Sequence, residues 1–308
     1  MQSFIPRQLR QGDLIGIVSP ASPPHDVARI ARGIRYVLSR GFRVCLGSGV
    51  GLKTGYLAGP DCTRRMDLES MFADEQVRAI LCTRGGYGAA RLLDGLDWDI
   101  PRRYPKIFAG FSDITALNMA LFAKSGLMSF AGPMVAADFA DEVSPIAEAA
   151  FWSMMMEVQS QRKLELGGAV RTMRAGKAEG PLLGGNLSVF CSLIGTPYLP
   201  SCKGAILFFE DTGEAVYRID RMMLQLRHSG VLAAAAGILL GSFTAIPETV
   251  NNRLLEDVLE EYILPLNIPT LTGIPFGHIR DKITLPMGAW VAMDASNGAV
   301  VVTHPVVR

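Results

Sequence analysis

The segment Lys106-Ile107-Phe108-Ala109-Gly110-Phe111-Ser112-Asp113-Ile114-Thr115-Ala116-Leu117-Asn118-Met119-Ala120-Leu121-Phe122 decides the reading of the fold. Ile107 to Ala109 is a short apolar run suited to a buried strand, and Gly110 permits an abrupt turn after it. Ser112 and Asp113 stand where a helix starts, because Ile114, Leu117 and Leu121 recur at helical spacing. A serine at such a junction presents its hydroxyl outward, beside the unpaired N–H groups of a helix N-terminus. A nucleophile and an oxyanion site can share that space. On this segment alone the competing role for Ser112 is a plain helix cap.

The same alternation extends upstream. Leu14–Val18 reads as a strand closed by Ser19-Pro20-Ala21-Ser22-Pro23-Pro24. A helix over 27–39 follows, with Ile30, Ile34, Val37 and Leu38 on one face, and Gly41 stops it. Phe42–Leu46 is the next strand, Gly47–Pro60 a glycine-rich loop, and Asp61–Ala73 a helix with Met66, Leu68 and Met71 as its apolar positions. Val77–Cys82 is a buried strand that runs into Thr83-Arg84-Gly85-Gly86-Tyr87-Gly88, then a helix from Ala89 to Leu93. This order predicts a parallel sheet with helices on its faces. Ligands of such sheets bind beyond the C-terminal ends of the strands, so the Arg84–Gly88 loop and the Ser112 corner fall on one edge.

Downstream, 132–161 reads as helical, with Met154, Met155 and Met156 as core filler. Residues 166–180 turn polar and glycine-rich and read as a link. The expected division is an N-terminal nucleophile domain, 1–165, a linker, 166–180, and a C-terminal domain, 181–308. In the latter, Gly184-Gly185-Asn186 opens a helix to Ile194, and a strand over 205–209 ends in Glu210-Asp211. A helix at 217–227, an apolar strand region at 231–243 and a helix at 254–264 follow. A short strand, Thr270–Thr272, precedes the loop Ile274-Pro275-Phe276-Gly277-His278. The tail, 283–302, reads as paired strands around the turn Ala295-Ser296-Asn297-Gly298.

Totals narrow the function. A chain of 308 residues, 49% apolar, suits about two domains with a large core. Lys plus Arg is 30 against 29 Asp plus Glu, so nucleic acid and anionic membrane surfaces have no electrostatic case as partners. Cys45, Cys62, Cys82, Cys191 and Cys202 are odd in number and form no C-x-x-C pair, which fits a reduced, cytoplasmic protein. No secretory signal or membrane-length apolar run is evident. There is no H-E-x-x-H and no acidic metal spacing, so no metal is expected. The 84–88 loop fails the G-x-G-x-x-G spacing and no Walker lysine is present, so no nucleotide cofactor is expected either.

An activated serine needs a base, and the histidines are His25, His228, His278 and His304. His25 lies in a proline loop, His228 at a helix C-terminus where the dipole favours it, and His304 in the tail. His278, in a glycine–proline loop between apolar segments, ranks first. The group that orients it can be sought at Glu210 and Asp211, where a buried strand ends. The competing role for Glu210, Asp211 and Glu214 is to stabilise the start of the next helix. The Gly85–Gly86 pair could cradle a phosphate, or supply an N–H that completes an oxyanion hole with the N–H of Asp113.

Taken in order, Thr83-Arg84-Gly85-Gly86-Tyr87-Gly88, Gly110-Phe111-Ser112-Asp113, Phe209-Glu210-Asp211 and Gly277-His278 resemble the L,D-carboxypeptidase family. These are serine peptidases of murein recycling, with microcin-immunity relatives. Gly16-Ile17-Val18-Ser19-Pro20-Ala21-Ser22 resembles the family's first strand and loop, and the resemblance runs from about Gly12 to Val302. It implies Ser112 as nucleophile, Glu210 as acid and His278 as base, with backbone oxyanion donors at Asp113 and Gly86. It implies an α/β fold: an N-terminal flavodoxin-like parallel-sheet domain and a C-terminal β-rich swivelling α/β domain, usually as a homodimer. The implied substrate is a murein tetrapeptide, cut between the L-centre of meso-diaminopimelate and the terminal D-alanine, without a cofactor. Arg84 and Gly85 would line the substrate, with the Arg84 guanidinium matched to its terminal carboxylate. Position 114 is Ile where G-x-S-x-G has glycine, which removes support for a generic α/β-hydrolase. The other readings are a peptidase or amidase acting on a peptide–nucleotide antibiotic, a non-catalytic ligand-binding protein, and a nucleotide-binding enzyme.

Overall fold

A computed structural model describes residues 4–248 and 253–308. The strands in chain order are β1 (Leu14–Val18), β2 (Arg43–Leu46), β3 (Val77–Cys82), β4 (Ile107–Ala109) and β5 (Ser129–Ala131). They continue with β6 (Arg162–Lys163), β7 (Arg171–Arg174), β8 (Lys177–Asn186), β9 (Ile206–Thr212) and β10 (Gly237–Thr244). The last four are β11 (Thr270–Thr272), β12 (Leu285–Met287), β13 (Trp290–Asp294) and β14 (Ala299–Val302).

The first sheet has the order β12-β5-β4-β3-β1-β2, and β1 to β5 all pair in parallel. Its inner strands β1, β3, β4 and β5 are short apolar runs covered on both faces, as parallel strands require, while the edge strand β2 is largely exposed. Ile15, Ile17, Ile80, Leu81 and Phe108 are fully buried. Helices Ala28–Ser39, Asp61–Ala73 and Thr115–Ser125 follow β1, β2 and β4. The reversal of strand order between β1 and β3 makes a switch point, and the loops leaving β3 and β4 lie beside it.

The second sheet has the order β6-β14-β13-β8-β9-β10-β11-β7. Its centre, β8 to β11, is parallel, and antiparallel strands flank it on both sides. Together the sheets make a two-domain α/β fold.

Several expectations change. Residues 132–161 are not helical throughout: the helix is Pro145–Met156, and Ser144 caps it by accepting from the N–H of Ala147. Pro133 and the Asp138 carboxylate, which accepts from the N–H of Met134, hold the stretch before it in turns. The stretch 166–180 carries β7 and the start of β8, so it is sheet as well as connection. Gly184 to Asn186 end β8, and the helix begins at Leu187. The segment 90–95 is a 3-10 turn rather than an α-helix. In the tail, β13 and β14 form the expected hairpin, but β12 leaves it and pairs with β5 in the first sheet. Leu285, Pro286 and Met287 are all buried there, and that burial outweighs local pairing.

The helix after β2 shows why periodicity alone misplaced a face. Met66 is 61% exposed, while Arg64 and Asp67 point inward. Asp67 accepts from the N–H groups of Ser48 and Gly49, and Arg64 donates to the carbonyls of Pro20 and Gly88. Polar groups buried in this way hold loops by their backbone, a role that hydrophobic spacing does not report.

Candidate active site

The chain turns at the end of β4 through Gly110 and Phe111 into a 3-10 turn, Ser112–Ile114, and only then into the α-helix Thr115–Ser125. Ser112 has φ +63°, the left-handed region that side chains other than glycine rarely adopt. Such a conformation costs roughly 1–3 kcal/mol and persists where the surroundings over-determine it. It is not the geometry of an ordinary helix cap, and the side chain of Ser112 caps nothing: the residue before the turn is Phe111. The Ser112 hydroxyl is instead 3.1 Å from Nε2 of His278.

His278 comes from the loop after β11, and its Nδ1 is 2.7 Å from Oε2 of Glu210 in β9. With Nδ1 protonated and donating to Glu210, Nε2 keeps the lone pair that accepts from the serine hydroxyl. The Glu210 side chain is fully buried, whereas His278 keeps 24% of its side-chain surface exposed. A buried carboxylate needs partners, and the second one is the amide of Asn186 at the end of β8, whose Nδ2 donates to Oε1 at 3.2 Å. Gly277, at φ +117°, allows the approach, because a Cβ there would lie 2.8 Å from Oε2 of Glu210.

The loop after β3 reaches the same corner. A Cβ on Gly85 would sit 2.8 Å from Cβ of Ser112 and 3.0 Å from the backbone nitrogen of Asp113. Only glycine lets that backbone lie against the serine and the following N–H. The Asp113 side chain turns away and accepts from the N–H of Ala89 at 2.8 Å. Burial pushes its carboxyl above the usual range, and that hydrogen bond opposes the rise. Asp113 therefore ties the helix start to the far side of the glycine loop. Arg84 is half-buried, donates through Nη1 to the carbonyl of Pro23 at 3.1 Å, and has its pKa lowered by burial.

The other candidates lie elsewhere. His25, His228 and His304 are exposed, and the His304 ring pairs with its neighbour Thr303. Asp211 does not share the imidazole. It accepts from the N–H and hydroxyl of Ser188, at 2.9 and 2.6 Å, and from the Asn186 amide at 2.9 Å. Glu214 faces Arg218 at 3.5 Å. Cys82, at the end of β3, is no rival nucleophile: burial pushes its thiol well up. Among the described residues no cluster of His, Cys, Asp and Glu has metal-holding geometry, and no helix is long and apolar enough to cross a membrane.

Sequence reasoning took Asn186 only as a helix opener. The structure makes it the donor that bridges Glu210 and Asp211, while its side-chain oxygen caps the helix by accepting from the N–H of Val189. Its own N–H donates to Oγ1 of Thr115, three residues beyond the serine, so it also joins the two halves of the site. The available signal was its position at a strand end beside the strand that carries Glu210.

Comparison with known proteins finds family matches in both halves of the chain. Residues 15–132 match the family model for the LD-carboxypeptidase N-terminal domain, and 179–293 match that for its C-terminal domain. A Bacillus subtilis (strain 168) protein named "Probable murein peptide carboxypeptidase" is 40% identical over 303 residues, 97% of this chain and 94% of that protein. A muramoyltetrapeptide carboxypeptidase structure from Oxalobacter formigenes superposes with a TM-score of 0.84 at 32% identity, over 95% of this chain and 99% of that one. The microcin C7 self-immunity protein MccF of Escherichia coli is 28% identical over 326 residues, 96% of this chain and 94% of that protein. A structure of MccF with glutamyl sulfamoyl guanosine superposes with a TM-score of 0.93 at 26% identity, covering 99% of each chain.

Proposed function

The chain belongs to the LD-carboxypeptidase family, and from that premise we propose that it is a serine carboxypeptidase that removes the terminal D-alanine from murein tetrapeptides. The observation that carries this reading is the hydrogen-bonded line from the left-handed Ser112 through His278 to the buried Glu210.

In the proposed reaction Oγ of Ser112 attacks the carbonyl between the L-centre of meso-diaminopimelate and D-alanine, and Nε2 of His278 takes the hydroxyl proton. Glu210 holds the ring in the required tautomer and stabilises the imidazolium as it forms. The N–H groups of Asp113 and Gly86 receive the developing oxyanion; a donor in that role contributes roughly 3–4 kcal/mol to lowering the barrier. His278 returns the proton to the departing amine, and water then repeats the sequence on the acyl-enzyme. Arg84 pairs with the terminal carboxylate of the substrate, and Gly85 keeps the floor of the site clear for it. No metal or cofactor enters any step. The homodimer implied by the resemblance is part of the same proposal and is checked by sedimentation.

Purified protein mixed with murein tetrapeptide is expected to release D-alanine and leave tripeptide, and a fluorophosphonate probe is expected to label Ser112. Folded protein that does neither removes the reading. A second reading rests on the higher TM-score of the MccF structure: the same triad would then cleave an aminoacyl sulfamoyl nucleoside such as glutamyl sulfamoyl guanosine. Parallel kcat/KM values for tetrapeptide and glutamyl sulfamoyl guanosine decide between the two.

A further inference from the structure

Beyond the triad, the structure carries a buried cation on the segment that leads from the His278 loop into β12 of the first sheet. Lys282 follows His278 by four residues, and its side chain is only 4% exposed. Its Nζ is 2.6 Å from Oδ1 of Asp138, which lies in the turn region after β5 in the first domain. The other carboxylate oxygen of Asp138 is committed to the N–H of Met134, so that turn is fixed from both sides. The same Nζ lies 4.1 Å from the ring centroid of Phe111. Phe111 is the residue immediately before the nucleophile, is 3% exposed, and has its ring 5.0 Å from the His278 ring.

We propose that Lys282 is a positioning residue: through Asp138 and the face of Phe111 it holds the serine corner of one domain in register with the imidazole of the other. The inference rests on the nucleophile and base assigned above. An ammonium over an aromatic face is held by the ring's quadrupole, and most firmly when both are out of water. The ion pair fixes where the ammonium sits, the ammonium fixes the Phe111 ring, and that ring is wedged against His278. Ser112 is thereby constrained from its N-terminal side, as Gly85 constrains it from below. A left-handed serine needs this kind of external support to keep its hydroxyl at 3.1 Å from Nε2. Nothing in the arrangement requires Lys282 to touch the substrate, since its hydrogen bond is spent on Asp138 and its open side faces a ring.

The experiment compares Lys282→Met, Lys282→Arg and Asp138→Asn with the unaltered protein in three measurements: the rate of fluorophosphonate labelling of Ser112, kcat and KM on tetrapeptide, and thermal stability. Misplacing reacting groups by a fraction of a bond length lowers rates roughly ten- to a hundredfold. Lys282→Met is expected to slow labelling and kcat by that range, with KM within twofold and a folded, cooperatively melting protein. Lys282→Arg is expected to restore most of the labelling rate, and Asp138→Asn to fall between. The proposal is overturned if Lys282→Met labels and turns over within twofold of the unaltered protein. It is also overturned if the loss lies in KM, which would make Lys282 a substrate contact, or if it tracks a reduced folded fraction. Failure of the unaltered protein to label at Ser112 would instead remove the triad reading, so the two failures are distinct.

Discussion

The two halves of the site are built in opposite ways. The serine half is local: strand, turn, serine and helix follow one another within 107–125, and one of the two N–H groups proposed for the oxyanion belongs to the next residue in the chain. The acid–base half is assembled from three separate strand ends, with Asn186 closing β8, Glu210 near the end of β9, and His278 in the loop after β11. Glu210 and His278 are 68 residues apart, and His278 and Ser112 are 166 apart. The local half stores strain in one φ angle, whereas the distant half stores no backbone strain at Glu210 or His278 but buries a charge. Strain and buried charge are both tolerated because each half is packed against the other.

That contrast can be broken at its strongest point first. Ser112→Ala is expected to fold normally and to lose on the order of 10⁴- to 10⁶-fold in kcat, as removal of a nucleophile from a triad does. Circular dichroism and D-alanine release measure the two parts, and near-normal turnover would remove Ser112 from the mechanism. On the other side, Glu210→Gln keeps the volume but loses the charge, and its single amide oxygen can accept from His278 or from Asn186 but not from both. A drop of roughly 10³- to 10⁴-fold in kcat with little change in KM is expected. If Glu210→Gln stays within tenfold, the buried carboxylate is structural.

A methyl group tests the local half more gently. Gly85→Ala would bring its Cβ to 2.8 Å from Cβ of Ser112, so the serine corner has to shift. We expect about a hundredfold slower fluorophosphonate labelling, with melting changed little. Unchanged labelling would mean that the loop yields instead. Asn186→Ala tests the join between the halves: it strips a donor from both Glu210 and Asp211 in a buried setting. A loss of about 1–3 kcal/mol in denaturant unfolding is expected, together with slower turnover.

The prediction furthest from turnover concerns stability at the end of β4 away from the serine. Lys106 is buried just before that strand, donates to the carbonyls of Met71 and Asp74, and is pushed down to about 8, chiefly by burial. Between that value and the ordinary 10.5, the unfolded chain keeps a proton that the folded protein has released. Stability therefore rises with pH across this window, by at most about 3 kcal/mol. Lys106→Met is expected to flatten the rise relative to the unaltered protein in urea titrations at several pH values. An identical slope in both proteins would show that Lys106 stays charged when folded.

The unequal construction explains what was legible. The strands β1, β3 and β4 and the helix Asp61–Ala73 follow from apolar runs bounded by turn residues, and the structure places them where those runs lie. The faces of helices were less legible. The inward side of Asp61–Ala73 carries Arg64 and Asp67, whose hydrogen bonds to loop backbone have no hydrophobic signature. The turns over 132–144 depend on side chains such as Asp138, and composition alone reads that stretch as helix. β12 was not separable from the hairpin next to it, because its partner β5 lies more than a hundred residues earlier.

By itself the sequence determined the alternating α/β architecture, the serine at a strand–helix corner, the glycine loop on the same sheet edge, and a short list of bases and acids. Those are properties of neighbouring residues, and neighbouring residues carry them. The resemblance had already named His278 and Glu210; only the tertiary structure brings them within hydrogen-bonding distance of each other and of Ser112, turns Asp211 to Ser188, sets Asn186 between Glu210 and Thr115, and buries Lys282 against Asp138. The physical reason is that hydrogen bonds and ion pairs act over about 3 Å, while the chain between the partners is free to run anywhere until two packed sheets fix its ends.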